Sequence, residues 1–254
     1  MPKSTATEWA NLLDRHIDQW RVTAVDCIAA LISVEISEAS YANSNASAKG
    51  TKGTMLTTAV DARSKVTPRA SESCFGNIVA IINLMISSDK VVPHNGGSTP
   101  TRRYAVHADV AMRLCKSANS IDNSLIQRQS AILKQVRDPS NAVERYGKKS
   151  KYNTIMFIPM DKLGADISFN IPGTTGKPRW VRSPWLCCNN SVAILPRQAE
   201  GDWEIQVCLK KWHMDALRKR LTAEKPWGFT VVEDSYDPDD ELLRAVRTLS
   251  LKDD

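Results

Sequence analysis

The chain has 254 residues, of which 42% are apolar and 24% charged, an ordinary globular mixture that can bury a large core in one domain. Its formal charge of +6 comes from basic residues in scattered pairs, not from the dense basic stripe of a nucleic-acid-binding protein. No apolar stretch is long enough for a membrane-spanning helix, and the amino terminus lacks the pattern of a secretory signal. We therefore expect a cytoplasmic protein with neither a nucleic-acid nor a membrane partner.

The first third of the chain predicts two helices and a loop. Apolar residues recur at helical spacing over 9–20, and a second helix is predicted from Thr23, whose hydroxyl can cap it, to about Ala39. The composition then shifts to Ser, Asn, Ala, Gly and Lys, which cannot bury enough surface to become ordered. We expect residues 40–56 to form a mobile loop.

The next segment predicts two strands followed by a long helix. Residues 57–62 and 77–86 have strand character, and the second run is continuous enough in Ile, Val and Leu to be buried on both faces. A second mobile loop is expected over 93–102. Beyond it, one apolar stripe over 106–125 predicts a single long helix packed on the sheet.

The last third of the chain is predicted to be rich in strands. Three strands and two short helices are expected, at 155–159, 191–196, 203–209, 214–221 and 241–249 in that order. Together with the earlier elements they predict an α/β protein, with a central mixed sheet covered by helices and a single domain over 1–254.

Four short motifs occur in a fixed order along the chain. They are Val-Asp-Ala-Arg at 60–63, Cys-Phe-Gly-Asn at 74–77, Asp166, and Gly-Lys-Pro at 176–178. Each is weak alone, but their order and spacing resemble the carboxy-terminal half of the BAHD-type, coenzyme-A-dependent acyltransferases, in particular the fungal trichothecene 3-O-acetyltransferase-like group. The resemblance extends from Thr23 to about Trp227. It implies a chloramphenicol acetyltransferase-like fold, of which this chain is one half of two.

The resemblance also implies an activity and site residues. Family members transfer an acyl group, here most simply acetyl, from acyl-CoA to a hydroxyl of a small molecule such as a fungal secondary metabolite. Acyl-CoA is a co-substrate, and neither a permanently bound cofactor nor a metal is expected. Asp166 is similar to the family aspartate that pairs with an arginine, which here matches Arg63, and the pair is structural. Lys177 is the residue expected to contact the cofactor.

The catalytic residue of the family is missing from this sequence. The family base is the histidine of a His-x-x-x-Asp motif, and none of His16, His94, His107 and His213 has an aspartate four residues later. Three of them have a His-x-Asp spacing, but on a helix those positions lie about 200° apart, so the aspartate cannot orient the ring. We therefore identify no catalytic residue and expect an acyltransferase that lacks the half carrying its base.

A second hypothesis stays open from the sequence. The chain can instead be a non-catalytic module that binds a ligand or a partner, or one half of a split acyltransferase completed by a polypeptide with the His-x-x-x-Asp motif. Unpaired sheet edges would favour such association. Weaker candidates for chemistry or ligand contact are Cys187 and Cys188, Trp180 and Trp185, and the lysines at 148, 149 and 151, each better explained by packing or solvent exposure.

Overall fold

A computed structural model of the chain describes residues 22–42, 53–71, 78–91, 100–136, 153–161, 163, 168, 172–173, 176, 190–196, 203–224, 229–232 and 246–251. The elements in chain order are α1 Ala24–Ala42, β1 Gly53–Asp61, β2 Val79–Ser87, α2 Ser88–Val91, α3 Pro100–Asn119, α4 Asn123–Gln135, β3 Asn153–Pro159, β4 Ser191–Ile194, β5 Trp203–Cys208, α5 Lys211–Glu224, β6 Phe229–Val232 and β7 Val246–Leu251. The predicted helix over 9–20 lies outside the described residues.

The seven strands of the described residues form one mixed sheet in the order β2-β1-β3-β4-β5-β7-β6. β1, β3 and β4 run parallel, while the other neighbours are antiparallel. The predicted central mixed sheet is confirmed. Because β1, β3 and β4 run in the same direction, their carboxyl ends lie at the same end of the sheet.

Helices α1, α3 and α5 form the layer that packs on one face of the sheet. α1 contacts both α3 and α5 and is the central helix, so that residues 28–37 are buried on every side. The core between this layer and the sheet is aliphatic, and its fully buried members include Ile32, Ile36, Leu56, Ile155, Ile205, Leu217 and Leu221. Of the helices in the described part of the chain, none is long and apolar enough to cross a bilayer.

The predicted cap of α1 is confirmed, but the predicted loops are too long. The Asp26 amide donates to the Thr23 hydroxyl at 3.2 Å, and the Thr23 amide donates back to the Asp26 carboxylate at 2.9 Å. This reciprocal pair satisfies two donors of the first turn. The expected loop over 40–56 is wrong at both ends, because α1 continues to Ala42 and β1 begins at Gly53. Likewise α3 begins at Pro100, inside the expected loop over 93–102. Residues 43–52 and 92–99 lie outside the described part.

The expectation that β2 is buried on both faces is wrong. Its residues alternate: Leu84 and Ile86 are buried in the main core, Ala80 and Ile82 are buried in a smaller cluster with Ile121, and Val79 and Ile81 are 40% and 44% exposed on the opposite face. A run of apolar residues hides this alternation, since period 2 is visible only when the outer face is polar.

The single helix predicted over 106–125 is two helices. α3 ends at Asn119 and α4 begins at Asn123, because Asp122 adopts an extended conformation and accepts a hydrogen bond from the Leu125 amide at 2.7 Å. An aspartate in this role is a helix N-cap, which ends one helix and starts another. The apolar stripe continues across the break, with Ile121 buried between them.

The last predicted helix is also wrong. Residues 246–251 form β7, which is inserted between β5 and β6. Val, Thr and Leu residues dominate this segment, and both neighbouring strands offer it backbone hydrogen bonds, so tertiary pairing decides its conformation. The strands predicted at 155–159, 191–196 and 203–209 and the helix predicted at 214–221 match β3, β4, β5 and α5 within a few residues.

The outer edge of β2 is closed by side chains. The Gln129 carboxamide of α4 accepts a hydrogen bond from the Ile81 amide at 3.4 Å and donates one to the Ile81 carbonyl at 3.2 Å. Arg113 of α3 donates to the Met85 carbonyl at 2.8 Å. These contacts satisfy backbone groups that an edge strand otherwise presents to another chain.

Candidate functional site

The candidate site lies at the carboxyl ends of the parallel strands. In open α/β sheets, ligands bind outside the carboxyl ends of parallel strands, where the connecting loops leave the sheet. Arg63 follows β1 by two residues, Met160 follows β3, and Leu195 follows β4. The Met160 amide donates to the Ile194 carbonyl at 2.9 Å, which fixes the ends of β3 and β4 side by side.

Arg63 is held by the aspartate that ends β1. Its amide donates to Asp61 Oδ1 at 3.0 Å, and its Nη1 donates to Asp61 Oδ2 at 2.8 Å. The Arg63 side chain is 38% and the Asp61 side chain 62% exposed. An exposed ion pair of this kind contributes at most about 1 kcal/mol, so its effect is to orient the guanidinium rather than to stabilise the fold.

The predicted partner of Arg63 is not among the described residues. Asp166 and Lys177 both lie outside them, so the Asp166–Arg63 pair and the cofactor contact of Lys177 stay predictions. Gly176, which precedes Lys177 in the motif, has a positive φ of +73°, and Gly173 has a φ of +78°. Such left-handed conformations favour glycine because a Cβ would clash with the backbone. The turn that leads into Gly-Lys-Pro is therefore built around glycine.

The structure gives neither His107 nor His213 the surroundings of a general base. His107 is fully buried, and burial together with the Arg103 and Arg220 charges lowers its pKa to about 3. His213 is 5% exposed and lies against the Trp212 ring; burial and then the Lys210 charge lower its pKa to about 4. A base for a hydroxyl needs a pKa near the working pH and access to the substrate. His16 and His94 lie outside the described residues.

For His107, the expected lack of pairing with Asp109 agrees with the helix geometry. Asp109 forms ion pairs with Lys90 at 3.1 Å and with Arg113 at 3.6 Å, on the side of α3 away from His107. The Nε2 of His107 instead lies 3.7 Å from Glu35 Oε1, on α1. The imidazole therefore faces the interior of the helix layer, not the strand ends.

A buried charged cluster, which was not predicted from the sequence, joins the three helices. Arg103 Nη2 of α3 donates to both Glu35 carboxylate oxygens at 2.7 Å, and Arg220 Nε of α5 donates to Glu35 Oε2 at 3.2 Å. Arg220 also bonds Glu38, which lies 3.4 Å from Arg103. The Glu35 side chain is fully buried. Two guanidinium groups from the flanking helices thus neutralise two carboxylates of the central helix. Partners 68 and 185 residues apart leave no local signal in a sequence.

Metal and thiol chemistry receive no support from the described part of the chain. Those residues contain no group of three or more His, Cys, Asp or Glu side chains that could hold a metal ion. Cys27, Cys115 and Cys208 are thiols that are not joined in disulfides. Burial raises the pKa of Cys27 to about 12, so it is not a thiolate at neutral pH. Cys187 and Cys188, the tryptophans at 180 and 185, and the lysines at 148, 149 and 151 lie outside the described residues.

Solved structures of acyltransferases have the same fold as this chain. Vinorine synthase matches with a TM-score of 0.54 at 15% identity, over 79% of this chain and 41% of its own. F. sporotrichioides TRI101, in complex with coenzyme A and T-2, matches with a TM-score of 0.54 at 18% identity, over 87% of this chain and 47% of its own. F. graminearum TRI101, in complex with coenzyme A and T-2 mycotoxin, matches with a TM-score of 0.50 at 20% identity, over 87% of this chain and 46% of its own. The chain thus spans less than half the length of each.

Sequence comparison identifies the family. No curated protein matches the chain in a direct sequence search. The sequence model of the Transferase family, however, matches residues 13–223, which is most of the chain. The fold shared with about half of each two-domain acyltransferase structure agrees with that match. The chain therefore belongs to the Transferase family, the BAHD-type acyl-CoA-dependent acyltransferases.

Proposed function

We propose that this chain is the carboxy-terminal half of an O-acyltransferase that transfers an acyl group, in the simplest case acetyl, from acyl-CoA to a hydroxyl of a secondary metabolite. The observation that carries the proposal is the family match over residues 13–223. The TRI101 structures, which contain coenzyme A and trichothecenes, support the choice of co-substrate and acceptor class.

The reaction needs a base that we assign to polypeptide outside this sequence. The base takes the proton of the acceptor hydroxyl while the oxygen attacks the thioester carbonyl carbon. The tetrahedral intermediate then collapses, the C–S bond breaks, and the same group returns the proton to the leaving thiolate. The pKa values of His107 and His213, about 3 and about 4, support this assignment because neither ring is a useful proton acceptor at neutral pH.

The carboxyl ends of β1, β3 and β4 form, in this proposal, one wall of the coenzyme A channel. Three basic residues, Arg63, Lys65 and Arg69, follow β1 within nine residues of its end, and Lys65 and Arg69 are exposed. Cationic side chains suit the phosphates of coenzyme A. Lys177 is proposed to reach the same phosphates. Asp166 is proposed to fix the loop that carries Lys177 by pairing with Arg63 as well.

The first test is coenzyme A binding to the purified chain by isothermal titration calorimetry. Lys177→Ala is expected to weaken coenzyme A binding at least about five-fold, because it removes one charge-assisted hydrogen bond. The matched control is Lys219→Ala, an exposed lysine on α5 in the opposite layer, which should leave the affinity unchanged. Equal affinities for both variants would refute the assignment of Lys177.

The second test is turnover. The chain is mixed with acetyl-CoA and deoxynivalenol, an acceptor bound in a solved TRI101 structure, and free thiol is followed. We expect no release above the buffer rate from the chain alone. Turnover that is abolished by His107→Gln or His213→Gln would contradict the proposal that the base lies elsewhere.

A further inference from the structure

The first turn of α5 carries a charge opposite to the one that a helix start favours. The positive end of the helix dipole is stabilised by Asp or Glu in the first turn and destabilised by Lys or Arg. α5 has no acidic residue there; it begins with Lys211, preceded by Lys210, and both lysines are exposed. The nearest carboxylate in this helix, Asp215, lies a full turn beyond Lys211. Two cations therefore add to the positive end of the dipole.

The same turn presents backbone donors without a side-chain cap. The Lys210 carbonyl accepts from the His213 amide at 2.9 Å and from the Met214 amide at 3.0 Å, so Lys210 is the N-cap residue. A lysine side chain contains no acceptor and cannot satisfy the amides that follow it. Within the part of the chain that the structure describes, the amides of Lys211 and Trp212 therefore have no hydrogen-bond partner. Such donors at the start of a helix bind anions.

His213 supplies an independent sign of a ligand at this end of the helix. The residue is 5% exposed, and among the described residues its buried Nδ1 finds no hydrogen-bond partner. Side chains lean toward the amino terminus of a helix, so the ring of this third helical residue lies back over the first turn. The Trp212 and His213 ring centroids are 3.4 Å apart, which holds the imidazole there. A buried polar atom of this kind costs free energy until a ligand or a water satisfies it.

Trp212 adds an aromatic surface beside these donors. Its side chain is 46% exposed although it is among the largest apolar groups in the chain. Nucleobases stack on exposed aromatic rings, and the contact tolerates any base because every base has a π-face. A ligand that combines a phosphate with an aromatic ring can therefore contact the cations, the backbone donors and the indole at once.

This helix end is remote from the candidate site at the strand ends. β5 runs antiparallel to β4, with Cys208 opposite Ser191 and Ile205 opposite Ile194. α5 begins shortly after Cys208, and therefore at the amino end of β4, whereas the candidate site lies at the carboxyl end of that strand. The amino terminus of α5 is thus not part of the proposed wall of the coenzyme A channel.

We propose that the amino terminus of α5 binds a nucleotide through its phosphate group. Lys210, Lys211 and the amides of the first turn surround the phosphate, because charge-assisted hydrogen bonds are the strongest contacts available to it. His213 donates from Nδ1 to a phosphate oxygen, and Trp212 stacks on the base. The site does not rest on acyl transfer: it rests on the charge, the uncapped donors and the buried imidazole of this one turn.

The experiment is a titration of the purified, ¹⁵N-labelled chain followed by two-dimensional NMR. The probes are inorganic phosphate, adenosine 5′-monophosphate (AMP) and adenosine, with sodium chloride at matched ionic strength as the control for screening. Phosphate and AMP are expected to shift the amide resonances of Lys211 and Trp212, and AMP also the Trp212 indole resonance. AMP should bind at least about ten-fold more tightly than phosphate, because base stacking adds to the phosphate contacts. Adenosine should leave the two amides unshifted.

Four variants separate the contributions of the side chains. Lys211→Gln should weaken AMP binding at least about five-fold, whereas Lys219→Gln, which changes an exposed lysine further along α5, should leave it unchanged. Trp212→Leu should reduce the affinity for AMP to that for phosphate. His213→Leu should weaken phosphate binding, and His213→Asn should restore it because the carboxamide keeps a donor near the position of Nδ1. Circular dichroism of each variant verifies that the helix layer is folded.

Three results would overturn the proposal. The first is a pair of Lys211 and Trp212 amides that neither phosphate nor AMP shifts at concentrations up to about 10 mM. The second is equal affinity for AMP and phosphate, since the base would then make no contact. The third is equal weakening by Lys211→Gln and Lys219→Gln, which would reduce the effect to general charge. AMP shifts confined to Arg63 and Lys65 would contradict it as well, because the ligand would then occupy only the strand ends.

Discussion

Replacing Arg103 by methionine should destabilise the protein substantially, although the residue is far from the strand ends. The substitution keeps most of the side-chain volume but removes the guanidinium that bonds both oxygens of Glu35 at 2.7 Å. Glu35 is fully buried and keeps the Arg220 contact at 3.2 Å and the neighbouring His107 ring at 3.7 Å. Removing one partner of a buried ion pair costs about 3–5 kcal/mol. Because Arg220 still neutralises Glu35, we expect a loss of about 3 kcal/mol in the free energy of unfolding.

The assay is urea denaturation followed by circular dichroism, with Lys90→Met as the matched control. Lys90 also pairs with an aspartate, at 3.1 Å, but its side chain is 51% exposed, so its loss should cost less than about 1 kcal/mol. For a chain of this length, a loss of about 3 kcal/mol corresponds to a fall in melting temperature of about 6–12 °C.

A double-mutant cycle with Glu35→Gln tests the cause. If the cost comes from a stranded carboxylate, Arg103→Met should cost at least about 1 kcal/mol less in the Glu35→Gln background than in the native protein. The reasoning is refuted if Arg103→Met costs no more than Lys90→Met, or if its cost is the same in both backgrounds.

Three further predictions concern other parts of the fold. His107 has a pKa of about 3 in the folded state but takes up a proton near pH 6.5 when unfolded, so its contribution to stability is complete above about pH 6.5 and is lost as the pH falls toward 3. The free energy of unfolding from urea titrations should fall over that range by up to about 1.4 kcal/mol per pH unit, and His107→Gln should flatten the profile. Thr23→Ala should cost about 1 kcal/mol by removing the cap on the Asp26 amide, with Thr23→Ser restoring most of it in thermal melts. Gln129→Ala should speed hydrogen exchange at the Ile81 amide without changing exchange in the helix layer; unchanged exchange at Ile81 would show that the edge contact is not maintained.

Local signals in the sequence predicted local features well. The cap at Thr23 was predictable because both partners lie within four residues of each other. The strands β3, β4 and β5 were predictable because each apolar run is bounded by turn-forming residues. The strand predicted over 57–62 matches the carboxyl half of β1, which ends at Asp61.

Features decided by distant partners were not predictable in the same way. The exposure of Val79 and Ile81 depends on which face of β2 the described helices cover, and no residue within the strand reports it. The conversion of 246–251 into β7 depends on β5 and β6, whose backbone groups compete successfully with a helical pattern. The Glu35 cluster was missed because charged residues on apolar helices normally indicate the solvent-facing side.

The Glu35 cluster also constrains the order in which this chain can fold. The carboxylate belongs to the first described helix, and the arginines that neutralise it come 68 and 185 residues later. Contacts between such distant residues require closing long loops, and they form late when short-range contacts dominate the transition state. In a growing chain, α1 can pack against α3 first, but the Arg220 contacts with Glu35 and Glu38 can form only after α5 has been synthesised. A fragment that ends before α5 would therefore leave these two carboxylates only partly neutralised.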